Sequence, residues 1–412
     1  MVLAVVVTAF AVIGLIHLYF WKRLVRDTLR PGPARRIGTG IAVLLAVLVP
    51  ATLIGTRTGH ATWLAWPGYL WLGCAFYLLL TLAVLEVPRL VIRLAGRRSA
   101  DTPAMTTAGM PASGDAPTGP AGPIGSPAAD TSSGAATPPG IDRRLVLARG
   151  AAVFAGLTAA GVTGYGVRTA LSRPRIDRVQ IPIAKLPRAM DGTRLAVVSD
   201  IHLGPLTGTR HAGRIVEVIN SVGADIVCVV GDLVDGSVAE LGRFAEPLAG
   251  IESRRGAYFV TGNHEYYSGY QEWVTEVASL GVRPLRNERI ELDGLDLAGV
   301  NDLGGAQVGD PPDFRRALGD RDTTRPVILM AHQPLAAEQA APYGVDLQVS
   351  GHTHGGQTMP FNLLVGLQQP VVSGLGEVDG TPVYVTDGAG FWGPPVRVGV
   401  PPQVTVVDLR TR

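Results

Sequence analysis

A chain of 412 residues that is 47% hydrophobic and only 17% charged, with a mean hydropathy of +0.25, is too apolar for an ordinary soluble protein. A net charge of +2, without basic runs interleaved with aromatics, argues against a nucleic-acid partner. The two cysteines, Cys74 and Cys228, are far apart and lack a CxxC partner, which argues against a disulfide framework or a thiolate metal site.

Residues 2–20 are apolar over about the length of a hydrocarbon core. Trp21 follows at interfacial depth, and then come Lys22, Arg23, Arg26, Arg30, Arg35 and Arg36. A second span is expected over 39–56 and a third over 66–87, the latter followed by Arg89, Arg93, Arg97 and Arg98. The loop between them carries Arg57 alone as a basic residue. The positive-inside rule therefore puts loops 22–38 and 88–149 in the cytoplasm, and the N-terminus and loop 57–65 outside. His17, beside Tyr19 and Trp21, reads as an interfacial residue, while His60 and His211 read as solvated.

The expected membrane region is 1–98, and 99–141, almost wholly Ala, Gly, Pro, Ser, Thr and Asp, reads as a flexible linker. In 142–172, Arg143, Arg144 and Arg149 precede an apolar run, 150–167, rich in Gly and Ala. This run fits a fourth span or the apolar region of an internal export signal, since Asp142-Arg143-Arg144-Leu145-Val146-Leu147 looks like a twin-arginine motif; a packed soluble helix is the alternative. Both membrane readings give a multi-pass cell-membrane protein with residues 173–412 outside the cytoplasm, although Arg168, Arg173, Arg175 and Arg178 on the far side run against the charge rule.

From about residue 190 the pattern changes to short apolar, β-branched runs (194–199, 225–230, 256–261, 326–331 and 345–350) alternating with amphipathic stretches such as 210–222 and 270–280. These are buried strands of an α/β fold, whose ligand crevice lies beyond the carboxyl ends of the strands. Every run ends in polar residues: Asp200-Ile201-His202, Gly231-Asp232, Gly262-Asn263-His264-Glu265, His332-Gln333-Pro334 and Gly351-His352-Thr353-His354-Gly355-Gly356. Five of the eight histidines fall at these ends, expected at one edge of the sheet. Carboxylate, imidazole and amide donors suit Mn, Fe or Zn, whereas Ca or Mg would call for an all-oxygen cage. Asp200 and His202, two apart, would point to the same side of extended backbone. A carboxylate shared by two cations would hold them roughly 3.5–4 Å apart, as in two-metal hydrolysis.

The ordered motifs DxH, GD, GNHE, H and GHTH resemble those of the calcineurin-like metallophosphoesterases, over roughly 190–405. The ending GHTHGGQ, Gly351 to Gln357, and the stretch Gly388 to Pro395 with Arg397 resemble a membrane-associated bacterial branch. That resemblance implies a sandwich of two sheets flanked by helices, here preceded by an α-helical transmembrane region. It also implies that Asp200, His202 and His354 bind one divalent ion, that Asn263, His332 and His352 bind a second, and that Asp232 bridges them. His264 is implied as the proton donor to the leaving oxygen, with orientation of a neighbour as its alternative role; Glu265 is expected to orient a neighbour, and Asp235 to be a turn or capping residue. Tyr266, Tyr267, Phe391 and Trp392 are candidates for lining the substrate pocket. The expected activity is hydrolysis of phosphate mono- or diesters; membrane tethering favours a lipid-linked phosphate or pyrophosphate. The competing reading is a non-catalytic membrane sensor or scaffold that binds a phosphorylated ligand. Fold and metal pair choose no substrate.

Overall fold

The computed structural model describes residues 2–100 and 143–412, so the linker expected over 99–141 lies almost wholly outside the described residues. Among the described residues, four helices are long and apolar enough to cross a membrane: α1 (Val2–Phe20, continued by a widened turn to Arg26), α2 (Pro33–Arg57), α3 (Ala65–Ala100) and α4 (Arg143–Ala170). Pro33 opens α2, where its missing N–H costs nothing. The fourth apolar run is thus helical throughout. His17, expected at interfacial depth, is buried among the helices: its Nε2 lies 3.0 Å from the Trp71 indole nitrogen on α3, which donates to it.

The rest forms two six-stranded mixed sheets. In the first the order is β1 (Arg175–Ile183), β12 (Gln403–Thr411), β2 (Arg194–Val198), β3 (Ile226–Val230), β4 (Ala257–Val260) and β5 (Arg283–Pro284). In the second it is β10 (Gly374–Val378), β11 (Thr381–Val385), β9 (Leu347–Ser350), β8 (Val327–Met330), β7 (Leu295–Gly299) and β6 (Glu288–Leu292). The five expected strands are β2, β3, β4, β8 and β9, and they divide between the sheets instead of sharing one edge.

Strand alternation explains how the layers close. Leu195, Val197, Ile226, Cys228 and Val230 face Leu297, Ile328, Met330, Leu347 and Val349 of the other sheet in one buried core. The alternate residues Ala196, Val198, Val227, Val229 and Phe259 face outward, under helices α5 (Thr209–Ser221), α6 (Val238–Ala245) and α8 (Tyr270–Ser279). On α5 the buried residues Ala212, Ile215, Val216 and Ile219 recur at helical spacing along one stripe. Ser237 and Glu240 form a capping box that starts α6. Phe314, Ala317, Leu318, Ala336 and Ala340 cover the outer face of the second sheet in the same way. Helices on both outer faces and a buried core between the sheets aim β2, β3, β4, β8 and β9 at one end of the sandwich.

Candidate metal centre

The expected site residues come together at that end. Asp200 and His202 follow β2, Asp232 follows β3, and Asn263, His264 and Glu265 open the short helix α7 (Asn263–Tyr267) after β4. His332 follows β8, and His352 and His354 follow β9. Asp200 and His202 do not share a side by lying in extended backbone: their φ values are 55° and 50°. Asp232, His352 and His354 also have positive φ, at 51°, 72° and 51°. Left-handed backbone costs a residue with a side chain about 1–2 kcal/mol, so five such residues around one point are a strained set held by the surrounding fold. The motif glycines allow the loops to approach closely. A Cβ on Gly351 would collide with Ser199 and Asp200, and one on Gly262 with Asp232.

Asp200, His202 and His354 bring one ligand atom each within 4.8 Å of one another, and Asp232, His332 and His352 do the same. Nε2 of His354 lies 3.2 Å from Asp200 Oδ1 and 3.0 Å from Nε2 of His202. Nε2 of His202 stands 3.9 Å from both Asp200 Oδ1 and Asp232 Oδ2, and Nε2 of His332 stands 3.1 Å from Asp232 Oδ2. The other ring nitrogens have fixed partners. His332 Nδ1 donates to the Val230 carbonyl at 2.8 Å, and His202 Nδ1 and His264 Nδ1 donate to Asp235 Oδ1 at 2.9 and 2.7 Å. With Nδ1 committed to these acceptors, Nε2 of His202 and of His332 faces carboxylate oxygens, pairs of acceptors that need a proton or a metal cation between them. Asp200 Oδ1, Asn263 Oδ1 and His332 Nε2 are buried without a hydrogen-bond partner among the described residues. Acceptors converging in this way fit divalent cations in chemistry and placement.

The electrostatics agree with a site built for positive charge. Burial alone would push the Asp200 and Asp232 carboxyls up, yet the facing imidazoles, His354 for the first and His332 for the second, hold both below the usual carboxylate range. Burial disfavours the charged form of His264, but the hydrogen bond to Asp235 overrides it and lifts the imidazole to about 9.

Asp235 is not the turn residue expected. It accepts from both imidazoles and fixes which nitrogen each presents to the centre. Its position three residues after Asp232 was the available signal, but an aspartate in a strand-to-helix turn has many ordinary uses. Asp235→Asn keeps the side chain's shape and removes its charge. It is expected to weaken Mn²⁺ binding by about 10- to 100-fold, measured by chelator competition on the full chain.

Glu265 orients its neighbours as expected. Fully buried, it accepts from the backbone N–H groups of Gly262, Asp232 and Leu233 at 2.6, 3.0 and 2.7 Å, tying the β3 and β4 loops together. His211 is buried rather than solvated; it reaches the Ile201 carbonyl at 3.2 Å, and burial lowers its imidazole to about 4. Arg397 is also buried and donates to the carbonyls of Gly390, Asp387 and Val400, bracing the segment that carries Trp392. Of the four aromatic candidates, Tyr267 and Trp392 line cavities beside the centre. Tyr266 instead packs on Tyr270 and donates to Asp310, and Phe391 is buried near His211, although one edge of it lines the second cavity.

A two-sheet sandwich flanked by helices, with aspartate, asparagine and histidine at its strand tips, is the architecture of a metallophosphoesterase. The profile of the calcineurin-like phosphoesterase family matches residues 193–356. A transmembrane protein with a metallophosphoesterase domain from Danio rerio is 40% identical over 273 residues, covering 63% of this chain and 62% of that protein. Its counterpart from Bos taurus is 37% identical over 262 residues, 60% of this chain and 59% of the relative. An uncharacterized metallophosphoesterase from Aquifex aeolicus is 34% identical over 243 residues, 57% of this chain and 92% of the relative. The chain therefore spans about three fifths of the length of the vertebrate relatives. It belongs to the calcineurin-like metallophosphoesterase family.

Proposed function

We propose that the chain is a membrane-anchored hydrolase of phosphate mono- or diesters that works with two divalent metal ions, Mn, Fe or Zn. Asp200, His202 and His354 would hold one ion, Asn263, His332 and His352 the other, and Asp232 would lie between them. The observation that carries this reading is the convergence of buried acceptors (Asp200 Oδ1, Asn263 Oδ1 and His332 Nε2) on the two sides of Asp232. Bound divalent cations would acidify water and draw charge from the phosphoryl oxygens. His264 is held through Nδ1 by Asp235, and it lines both cavities beside the centre. Its Nε2, 4.0 Å from Asp232 Oδ2, is placed to give a proton to a departing oxygen.

In this reading residues 1–98 and 142–172 form the membrane region, and 173–412 the catalytic domain on the extracytoplasmic face. Two sets of contacts support that side. The α2–α3 turn meets the catalytic domain, with the Arg57 guanidinium 5.9 Å from the Tyr267 ring centre. At the other end of the bundle lie the Arg-rich contacts, Arg23 with Glu86 and Arg149 with the Thr28 carbonyl. The domain thus packs at the end with fewer arginines, where Arg57, Arg168 and Arg173 stand against the longer basic series after α1 and in α3 and α4.

Purified full-length protein in detergent, loaded with Mn²⁺, is expected to hydrolyse a chromogenic phosphodiester or monoester. His264→Ala should lower kcat by about 10²- to 10⁴-fold while metal content stays unchanged. Absence of turnover on both esters with Mn²⁺, Fe²⁺ and Zn²⁺ would overturn the proposal and favour a phosphate-binding sensor.

A further inference from the structure

The metal centre lies between two cavities, the first more apolar than the second. The first, about 590 Å³, runs from Asp232 and Asn263 to Leu72, Phe76 and Tyr77 of α3, with Phe361 on its rim. The second, about 460 Å³, is lined by Arg57, Ser237, Glu240 and Tyr267, and His264 and Trp392 border both. A void of this size, mostly apolar and ending at a few polar groups, has the dimensions and make-up of a small-molecule site. Its apolar wall comes from a helix long and apolar enough to cross a membrane.

The helix is fixed against the domain. Tyr77 Oη donates to the Met359 carbonyl at 3.2 Å, and a Cβ on Gly73 would stand 2.9 Å from Val396, so only glycine allows this approach without displacement. Val396 shares a buried cluster with Ala75, Tyr77, Ala155 and Ala159 of α3 and α4. Phe361, which lines this cavity, and Leu363, Leu364 and Leu367 of the same segment are 46%, 73%, 55% and 81% exposed. Four large apolar side chains exposed within two turns, next to such a helix, suit the acyl region of a bilayer.

Resting on the hydrolytic reading above, we propose that α3 and the α2–α3 turn complete the substrate site. The substrate is then a phosphate ester of a long alkyl chain, drawn from the bilayer with its tail against Leu72, Phe76 and Tyr77. Its phosphate meets the strand tips, and its polar substituent enters the second cavity, where Arg57 adds a positive charge. A folded protein partner cannot reach Asp232 and Asn263 through a void of this volume; a chain of methylenes can.

The test uses full-length protein and p-nitrophenyl alkyl phosphodiesters from ethyl to octyl. Half of the full transfer gain gives roughly twofold per methylene, so kcat/KM is expected to rise on the order of 50-fold across the series. In Phe76→Gln the octyl-to-ethyl ratio should fall below about fivefold; micelle partitioning is common to both proteins, so the difference isolates the pocket. Turnover that is flat with chain length in the unaltered protein would overturn this inference and leave the hydrolytic reading standing. Turnover of none of the esters would overturn both. A second readout needs no turnover: in nanodiscs, an alkyl phosphate with a terminal diazirine should cross-link to peptides containing Leu72–Tyr77 and Phe361–Val365, and octyl phosphate should compete. Labelling spread evenly over the outward-facing Leu15, Leu44 and Leu157 would overturn it.

Discussion

Asp232→Asn is expected to lower metal-dependent turnover of the full chain at least on the order of a thousandfold, and to leave the purified protein depleted of metal by elemental analysis. The reason lies in what each carboxylate oxygen faces. Oδ1 accepts from the His264 backbone N–H at 2.8 Å, a bond that an asparagine carbonyl can keep. The amide NH₂ is then forced into the place of Oδ2, the atom 3.1 Å from His332 Nε2 and 3.9 Å from His202 Nε2. A donor there satisfies the lone pairs that would otherwise hold cations, and removes the negative charge between the two sets of donors. Because the local backbone contact survives, the variant should fold, and its thermal transition should stay close to that of the parent. Wild-type turnover and metal content in this variant would refute the site.

Glu265→Ala is expected to act on stability. Three buried backbone N–H groups, those of Gly262, Asp232 and Leu233, have their acceptor in this carboxylate. Leaving a buried donor unpaired costs about 1–3 kcal/mol, so losing all three costs roughly 3–9 kcal/mol, before the cavity left by the side chain is counted. That is a large share of the 5–15 kcal/mol typical of a whole domain. Differential scanning fluorimetry of full-length protein should show the catalytic domain's transition lowered by about 10 °C or more, or lost. Burial and the neighbouring Asp232 push the Glu265 carboxyl up to about 7, although the backbone donors oppose this, so Glu265→Gln tests charge separately from shape. An amide must turn one donor toward the three N–H groups, and it should fall between parent and alanine. A transition within about 2 °C of the parent for Glu265→Ala would show that the β3 and β4 loops are held by other means.

The strand tips were legible in the sequence because two signals coincide there. Runs such as Ile226–Val230 are apolar without interruption, as strands covered on both faces must be, and the residues after them change abruptly to Asp, Asn and His. The edge strands gave no such signal. Glu288–Leu292 is half-exposed and alternates, and Arg283–Pro284 is two residues long, so neither forms an apolar run. The split into two sheets was not legible either, because each strand's pattern is the same whichever sheet it joins; the family resemblance supplied it. Asp235 was misread because its role depends on two imidazoles brought in from β2 and α7, a tertiary fact that local sequence does not carry. His211 was misread for a related reason: an isolated histidine looks solvated until a partner, here the Ile201 carbonyl, is placed beside it, and the Trp71 partner of His17 likewise comes from another helix. The apolar wall from α3 had no sequence signature, since Leu72, Phe76 and Tyr77 match any lipid-facing residues.

The pairing of the first strand with the last sets an order of events during synthesis. β1 emerges directly after α4, but its neighbour in the sheet is β12, in parallel register from Arg175 opposite Gln403 to Ile183 opposite Thr411. β12 also separates β1 from β2, whose antiparallel partner it is. Until residues 403–411 leave the ribosome, β1 has no strand to join and β2 lacks one flank. The first sheet therefore closes only once Gln403–Thr411 have been made, and removing those residues is expected to leave both β1 and one flank of β2 without a partner.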